Sequence, residues 1–271
     1  MEILSEEVKD FLRKSFKRGR VCCITGAGIS CESGIPAFRG KGGLWEKYDP
    51  QTYGYADGLI STLRLDTQRF IDFVVDFYSV LLGARPNPGH LALAFLEKEN
   101  ILNAVITQNI DDLHRQAGNR GCVELHGNAL RIRCVRCLKT IMLEKQRWLE
   151  MIQLLKRTSG SYLKVLKILS RYFPRCECGG RFRIDIVLFG EMLPERELES
   201  AYKYLNEADT LLLIGTSLAV YPAASLPLYA KQRGVKIVEI NSEPTTFSGL
   251  CDYKITGEAS YILPQICAVT S

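Results

Sequence analysis

Apolar residues fall along the chain in short runs that alternate with longer stretches of helical spacing. Val21–Thr25, Asn103–Thr107, Val123–Leu125, Ile184–Phe189, Thr210–Ile214 and Lys236–Ile240 are short, mainly apolar runs bounded by turn formers, and they predict buried strands. Between them, Phe70, Phe73, Val74, Phe77 and Leu81 recur at helical spacing over residues 66–82, with Gly83 and Pro86 as stop signals. Ser5 can cap a helix reaching Lys17, with Glu6 and Glu7 in its first turn. Further helices are expected over 88–99, 109–117, 194–206 and 222–233. Strands alternating with helices predict an α/β fold, a Rossmann-like parallel sheet covered on both faces.

The length of 271 residues fits one large domain carrying an insertion. The expected division is 1–130 with 184–271 for the sheet domain, and 131–183 for a small inserted module. No apolar run reaches the roughly 18 residues of a membrane span. The start Met1-Glu2-Ile3-Leu4-Ser5 lacks the pattern of a signal peptide, so a cytoplasmic protein is expected. The net charge of +5 is mild and its charges are interspersed, which favours a solvated surface over direct nucleic-acid binding.

Ten cysteines change the picture. In a reducing compartment, clustered cysteines suggest metal or redox chemistry instead of disulfides. Cys22 and Cys23 sit in an apolar run and read as core. Cys134-Val-Arg-Cys137 and Cys176-Glu-Cys178-Gly-Gly read as two knuckles whose four thiolates would close a structural Zn2+ site with no open position. The second pair is one residue tighter than usual. The spacer of 38 residues, Leu138 to Arg175, is also longer than the ~15–20 of a simple zinc ribbon. Trp148, Ile152 and Leu155 recur on one face, as do Leu163, Leu166, Ile168 and Leu169 after Gly160, so the spacer is expected to be a helical hairpin.

Gly26-Ala27-Gly28 follows a strand as a dinucleotide-binding loop should, but Cys31 stands where a full fingerprint needs its third glycine. Small residues through Ser30 and Gly34 would let backbone amides approach a pyrophosphate. Phe38 and Arg39, after Pro36, suit a nicotinamide ribose and its phosphates. A structural loop with incidental glycines fits the same residues.

Several motifs in order resemble the sirtuin family. They are Gly26-Ala-Gly-Ile-Ser30 with Gly34-Ile-Pro-Ala-Phe-Arg39, Thr107-Gln-Asn-Ile-Asp111, Glu124-Leu-His-Gly127, the two cysteine pairs, Val187-Leu-Phe-Gly-Glu191, Gly215-Thr-Ser217 and Asn241-Ser-Glu243. The resemblance implies an inverted-Rossmann-type domain and a small zinc-and-helix domain, with NAD as co-substrate and an acyl-lysine protein or peptide as partner. It implies an NAD-dependent protein-lysine deacylase, most simply a deacetylase, that yields nicotinamide, free lysine and O-acyl-ADP-ribose. A mono-ADP-ribosyltransferase using the same pocket is the alternative. A non-catalytic NAD-sensing module is a third reading, disfavoured by His126, Asn109 and Asp111.

Under that resemblance His126 is the catalytic base toward a ribose hydroxyl, since histidine titrates near neutral pH. His90 reads as a packed or capping residue and His114 as structural, bonded to neighbouring backbone. Gln108, Asn109 and Asp111, just past a strand's carboxyl end, would read the nicotinamide amide and orient the ribose. Asn109 also suits a helix N-cap. Gly215, Thr216 and Ser217 would meet phosphate or ribose. Asn241, Ser242 and Glu243 would face the adenosine ribose, and Ala259 the adenine. Val187, Phe189, Gly190 and Glu191 would form a strand pairing with substrate, with Phe189 walling the acyl channel. Family members preferring acidic acyl groups carry a tyrosine and, three residues on, an arginine. Here Tyr78 is followed at that spacing by Leu81, which argues against a succinyl or malonyl preference.

Overall fold

A computed structural model describes residues 4–37 and 42–269. Its strands are β1 (Val21–Thr25), β2 (Leu102–Thr107), β3 (Cys122–Glu124), β4 (Gly127–Cys134), β5 (Thr140–Met142), β6 (Phe182–Ile186), β7 (Thr210–Ile214), β8 (Lys236–Asn241) and β9 (Tyr253–Thr256). The chain divides into two compact units.

The first unit comprises Met1–Ala37, Arg85–His126 and Leu193–Ser271. Its six-stranded sheet runs in the order β3-β2-β1-β7-β8-β9, every neighbouring pair parallel. β1 and β7 are buried at every residue, which is why they read as continuous apolar runs without alternation. Period-two side chains divide β1 between two cores. Val21 and Cys23 pack with Leu12, Phe16, Leu93, Leu96 and Leu263 on one face, while Cys22 and Ile24 pack with Leu205, Leu213 and Leu226 on the other. The order reverses at β1, whose neighbours β2 and β7 lie on opposite sides. In open parallel sheets, ligands bind beyond the carboxyl ends of the strands at such a switch point.

The helices begin and end for local reasons. Ser5 Oγ accepts from the Val8 N–H at 3.3 Å to open helix Glu6–Arg18, and Gly19 closes it at φ +62°. Asn87 opens Pro88–Lys98 with a capping box that His90 completes, so the expected capping role of His90 is observed. The sequence pattern did not predict β9 or helix Ala259–Ala268, which holds Pro264 inside it. Among the described residues no helix is long and apolar enough to cross a membrane.

The second unit comprises Phe38–Ala84 and Gly127–Met192. Its antiparallel sheet has the order β5-β4-β6. The spacer forms the expected hairpin, helices Lys145–Lys156 and Tyr162–Tyr172. This unit is larger than 131–183 because helix Thr67–Gly83 packs into it. Tyr78 from that helix stacks on fully buried Trp148 at 4.5 Å between ring centroids, and its hydroxyl donates to the Ala129 carbonyl at 3.0 Å.

Candidate active site

Most of the nucleotide-site residues named above lie just beyond the carboxyl ends of strands in the parallel sheet. Gly26–Ser30 follow β1, Gln108–Asp111 follow β2, His126 follows β3, Gly215–Ser217 follow β7, and Asn241–Glu243 close β8. Ala259 follows β9 but is buried in the core, opening the last helix. Phe38 and Arg39 lie outside the described residues.

The loops after β1 and β7 touch backbone to backbone. The Gly28 N–H donates to the Gly215 carbonyl at 2.8 Å, and the Gly26 N–H to the Ile214 carbonyl at 3.1 Å. A Cβ on Gly28 would stand 2.7 Å from Gly215 Cα, and one on Gly215 only 2.4 Å from the Ile29 nitrogen. Gly215 also has φ +55°. The glycines are therefore structural as well as suited to close approach by a ligand. Residues 27–33 form a turn of 3-10 helix directly after β1.

A buried polar cluster sits beneath this loop. Asn109 Nδ2 donates to the Gly26 carbonyl at 3.0 Å and to Ser30 Oγ at 3.1 Å. Ser30 Oγ donates in turn to Asp111 Oδ2 at 2.7 Å, and the Leu113 N–H donates to Asp111 Oδ1 at 2.9 Å. Burial pushes the Asp111 carboxyl up, while the Leu113 amide and the Ser30 hydroxyl hold it down. Asn109 does not take the N-cap place that its residue type also suited. The helix starts at Leu113, after Asp112 at φ +67°, and the Asn109 amide is spent on the β1 loop.

Thr216 ties the end of β7 to the end of β2 across β1 and to the end of its neighbour β8. Gln108 Nε2 donates to Thr216 Oγ1 at 2.8 Å, and Asn241 Nδ2 donates to the Thr216 carbonyl at 2.9 Å. Ser217, Ser242 and Glu243 are exposed at the same edge. His126 Nδ1 lies 2.8 Å from the Gln108 carbonyl oxygen. A carbonyl only accepts, so the ring carries its proton on Nδ1 and leaves Nε2 as a lone pair when neutral. Burial lowers the His126 pKa below its ordinary value, and the Gln108 carbonyl raises it part of the way back.

Thr25, Thr107, His90 and His114 join this assembly and carried no assigned site role in the sequence. Thr25 Oγ1 donates to Thr107 Oγ1 at 2.8 Å, and Thr107 Oγ1 accepts the Asn109 N–H at 3.0 Å. With that direction, His114 Nε2 donates to Thr25 at 2.9 Å. His114 is thus structural, but its bond is to a side chain 89 positions away and not to neighbouring backbone. The signal was present in the threonines that end two otherwise apolar strands.

In the second unit the four cysteines converge. Cys134 and Cys178 sulfurs are 3.5 Å apart, Cys137 and Cys176 sulfurs 3.7 Å, and all four lie within 4.8 Å of one another. Tetrahedral Zn–S bonds of about 2.3 Å place sulfurs roughly 3.8 Å apart, so the set fits zinc. The tight Cys176-Glu-Cys178 spacing is accommodated by Gly179 at φ +82° and by Gly180, where a Cβ would meet Cys134 Sγ at 2.6 Å.

The expected strand over 184–189 ends early, at Ile186. Val187, Phe189, Gly190 and Glu191 lie in a turn instead. Glu191 receives two bonds from Arg183, at 2.5 and 3.0 Å, and one from the Leu188 N–H at 3.0 Å, which folds the chain back through Gly190 at φ +82°. Phe189 is held by its N–H to the Gly54 carbonyl at 2.9 Å and lies between Trp45 and Tyr55.

A six-stranded parallel sheet, joined in one chain to an antiparallel unit whose four-cysteine cluster fits zinc, defines a Rossmann-like α/β protein. Residues 26–222 match the model of the Sir2 family, and the chain belongs to that family. It is 41% identical over 268 residues to an NAD-dependent protein deacylase of Pyrococcus furiosus, covering 96% of this chain and 95% of the relative. A solved Sir2 homologue–NAD complex superposes with TM-score 0.77 at 33% identity, covering 99% and 94% of the two chains. A variant Sir2 homologue bound to ADP-ribose gives TM-score 0.78 at 33% identity, covering 98% and 96%.

Proposed function

We propose that this chain is an NAD-dependent protein-lysine deacylase, most simply a deacetylase, releasing nicotinamide, free lysine and O-acyl-ADP-ribose. The observation that carries the reading is the tautomer of His126, a neutral imidazole with Nε2 free to accept a proton. NAD, when bound, supplies the ribose carbon that takes the acyl oxygen as nicotinamide leaves. His126 removes a proton from a ribose hydroxyl at Nε2. Asn109 and Asp111 orient the nicotinamide half, and their fixed bonds to Ser30 lower the cost of ordering them there. Gly26, Ala27, Gly28, Gly215, Thr216 and Ser217 hold the phosphates and ribose. Asn241, Ser242 and Glu243 serve the adenosine side, with Ala259 offering backbone at the adenine. The turn Val187–Glu191 takes the substrate backbone. Zn2+ on Cys134, Cys137, Cys176 and Cys178 supports structure only.

No disulfide links the ten cysteines, four of which are placed to hold zinc, which supports a reducing, cytoplasmic setting. The test is to incubate the protein with NAD and a panel of acyl-lysine peptides, following nicotinamide and peptide mass. Loss of the acyl group with equal nicotinamide release is expected. A protein target gaining ADP-ribose while every peptide keeps its acyl group would overturn the reading in favour of a transferase.

A further inference from the structure

The charge of the chain is not evenly distributed. Residues 127–192 hold 14 lysines and arginines against five carboxylates, a net +9; with +5 for the whole chain, −4 is left for all other residues. Three of those carboxylates are already engaged, Glu177 by Lys139, Asp185 by Arg131 and Arg133, and Glu191 by Arg183. Between Met151 and Cys176 there are six cations, Lys156, Arg157, Lys164, Lys167, Arg171 and Arg175, and no carboxylate. All six are exposed. Lys156 lies near enough to Asp76 to lower its pKa, but no ion pair forms on Lys164, Lys167 or Arg171 among the described residues.

Helix Tyr162–Tyr172 concentrates these charges. Lys164, Lys167 and Arg171 follow one another at spacings of three and four, and so share one face. Val165 and Tyr172 are the buried residues of the helix. The Arg171 and Arg147 guanidiniums both lie against the Tyr172 ring, at 6.0 and 5.6 Å, which extends the cationic face to the neighbouring helix. Beside that face stand Leu163, 76% exposed, and Leu166, 38% exposed. A simple zinc ribbon does not require this hairpin.

We propose that the exposed face of helix Tyr162–Tyr172 is a docking surface for an acidic amphipathic segment of a protein substrate, separate from its acyl-lysine. The proposal rests on the protein-deacylase reading for the word substrate, and on charge complementarity for the occupant. Phosphate backbones would match the cations but leave Leu163 and Leu166 against a polar strand. Two leucines are too little apolar surface to hold a helix in a bilayer interface. A segment with carboxylates one turn apart and apolar residues between them matches both features.

The direct test uses the full chain and a labelled peptide of about 14 residues, with glutamates one helical turn apart, leucines between them and no lysine. Fluorescence anisotropy at low salt should show saturable binding that weakens steeply with added salt. The variant K164E/K167E/R171E and the variant L163S/L166S should each weaken binding about tenfold, with unchanged thermal melting. No saturable binding, or binding by both variants as tight as by the unaltered chain, would overturn the proposal. So would stronger competition from a DNA duplex or from phosphatidylserine vesicles than from unlabelled peptide. Deacylation of a short uncharged acyl-lysine peptide reads the active site separately, and its failure would bear on the deacylase reading and leave the anisotropy result standing.

Discussion

The Nδ1 atom of His126 and the carbonyl oxygen of Gln108 are 2.8 Å apart, and this contact fixes which imidazole nitrogen can work as a base. Only neutral His126 can accept a proton, and burial holds its pKa below 6.5. Deacylation measured as kcat/KM should therefore rise with pH through an acid limb below ~6.5 and then level off. His126→Ala should lower the rate by at least about a hundredfold and remove that limb, with little change in melting temperature. An unaltered acid limb in the variant would assign it to another group.

Gly215 should tolerate no side chain. In Gly215→Ala the methyl would meet backbone at 2.4 Å in a left-handed conformation. We expect a loss of stability of about 2–4 kcal/mol and weaker NAD binding. Gly34→Ala is the comparison, since Gly34 has φ +84° but open space around its Cβ position. It should cost only about 1 kcal/mol. Urea melts of both variants separate close approach from conformational strain.

Zinc should be required for folding of the second unit and not for chemistry. Metal analysis should find roughly one zinc per chain, and Cys176→Ser should lose it. Chelation should expose Trp148, which is fully buried, and shift tryptophan emission to the red. Unchanged emission and melting after complete zinc removal would contradict a structural role.

Stability should fall in mild acid. Burial lowers His90 to about 4 and His114 well below its ordinary value. Both depressed pKa values mean that the unfolded chain binds protons first as pH drops below ~6.5. For His90 the loss accumulates from there down to its folded value of about 4. The magnitude for His90 is on the order of 3 kcal/mol, and His114 adds to it. Equal unfolding free energies at pH 7 and pH 4.5 would show that neither imidazole is held neutral.

Acidic acyl groups should be poor substrates. The Tyr78 hydroxyl is committed to the Ala129 carbonyl inside the second unit, and Leu81, three residues on, offers no cation. Succinyl-lysine peptides should react at least about tenfold more slowly than acetyl-lysine peptides of the same sequence. Comparable kcat/KM values would require a carboxylate reader elsewhere.

The parts of this fold that were legible in the sequence are those governed by strong periodicity. β1 and β7 matched their apolar runs residue for residue, and Ser5 capped its helix as its spacing implied. The hairpin over 145–172 was equally clear from Trp148, Ile152 and Leu155. What failed depended on tertiary bonds. Asn109 looked like an N-cap because its type suits one, but a bond to a carbonyl 83 positions away decided its role. The run Ile184–Phe189 looked like one strand, but the Arg183–Glu191 pair turns the chain after Ile186. The four cysteines and the Gly179-Gly180 turn were legible despite the unusual spacing, and only the close approach of Gly180 to Cys134 Sγ needed the fold.

The backbone junction between Gly28 and Gly215 joins positions 187 residues apart in the chain. Closing so long a loop comes late in folding, because its entropy must be spent before the contact returns anything. A nascent chain that has not yet delivered residue 215 has no such junction, and a protease nick between the two loops would make it bimolecular. Nucleotide binding proposed for this edge would therefore be a readout of completed folding, and partly folded chains should be silent toward it.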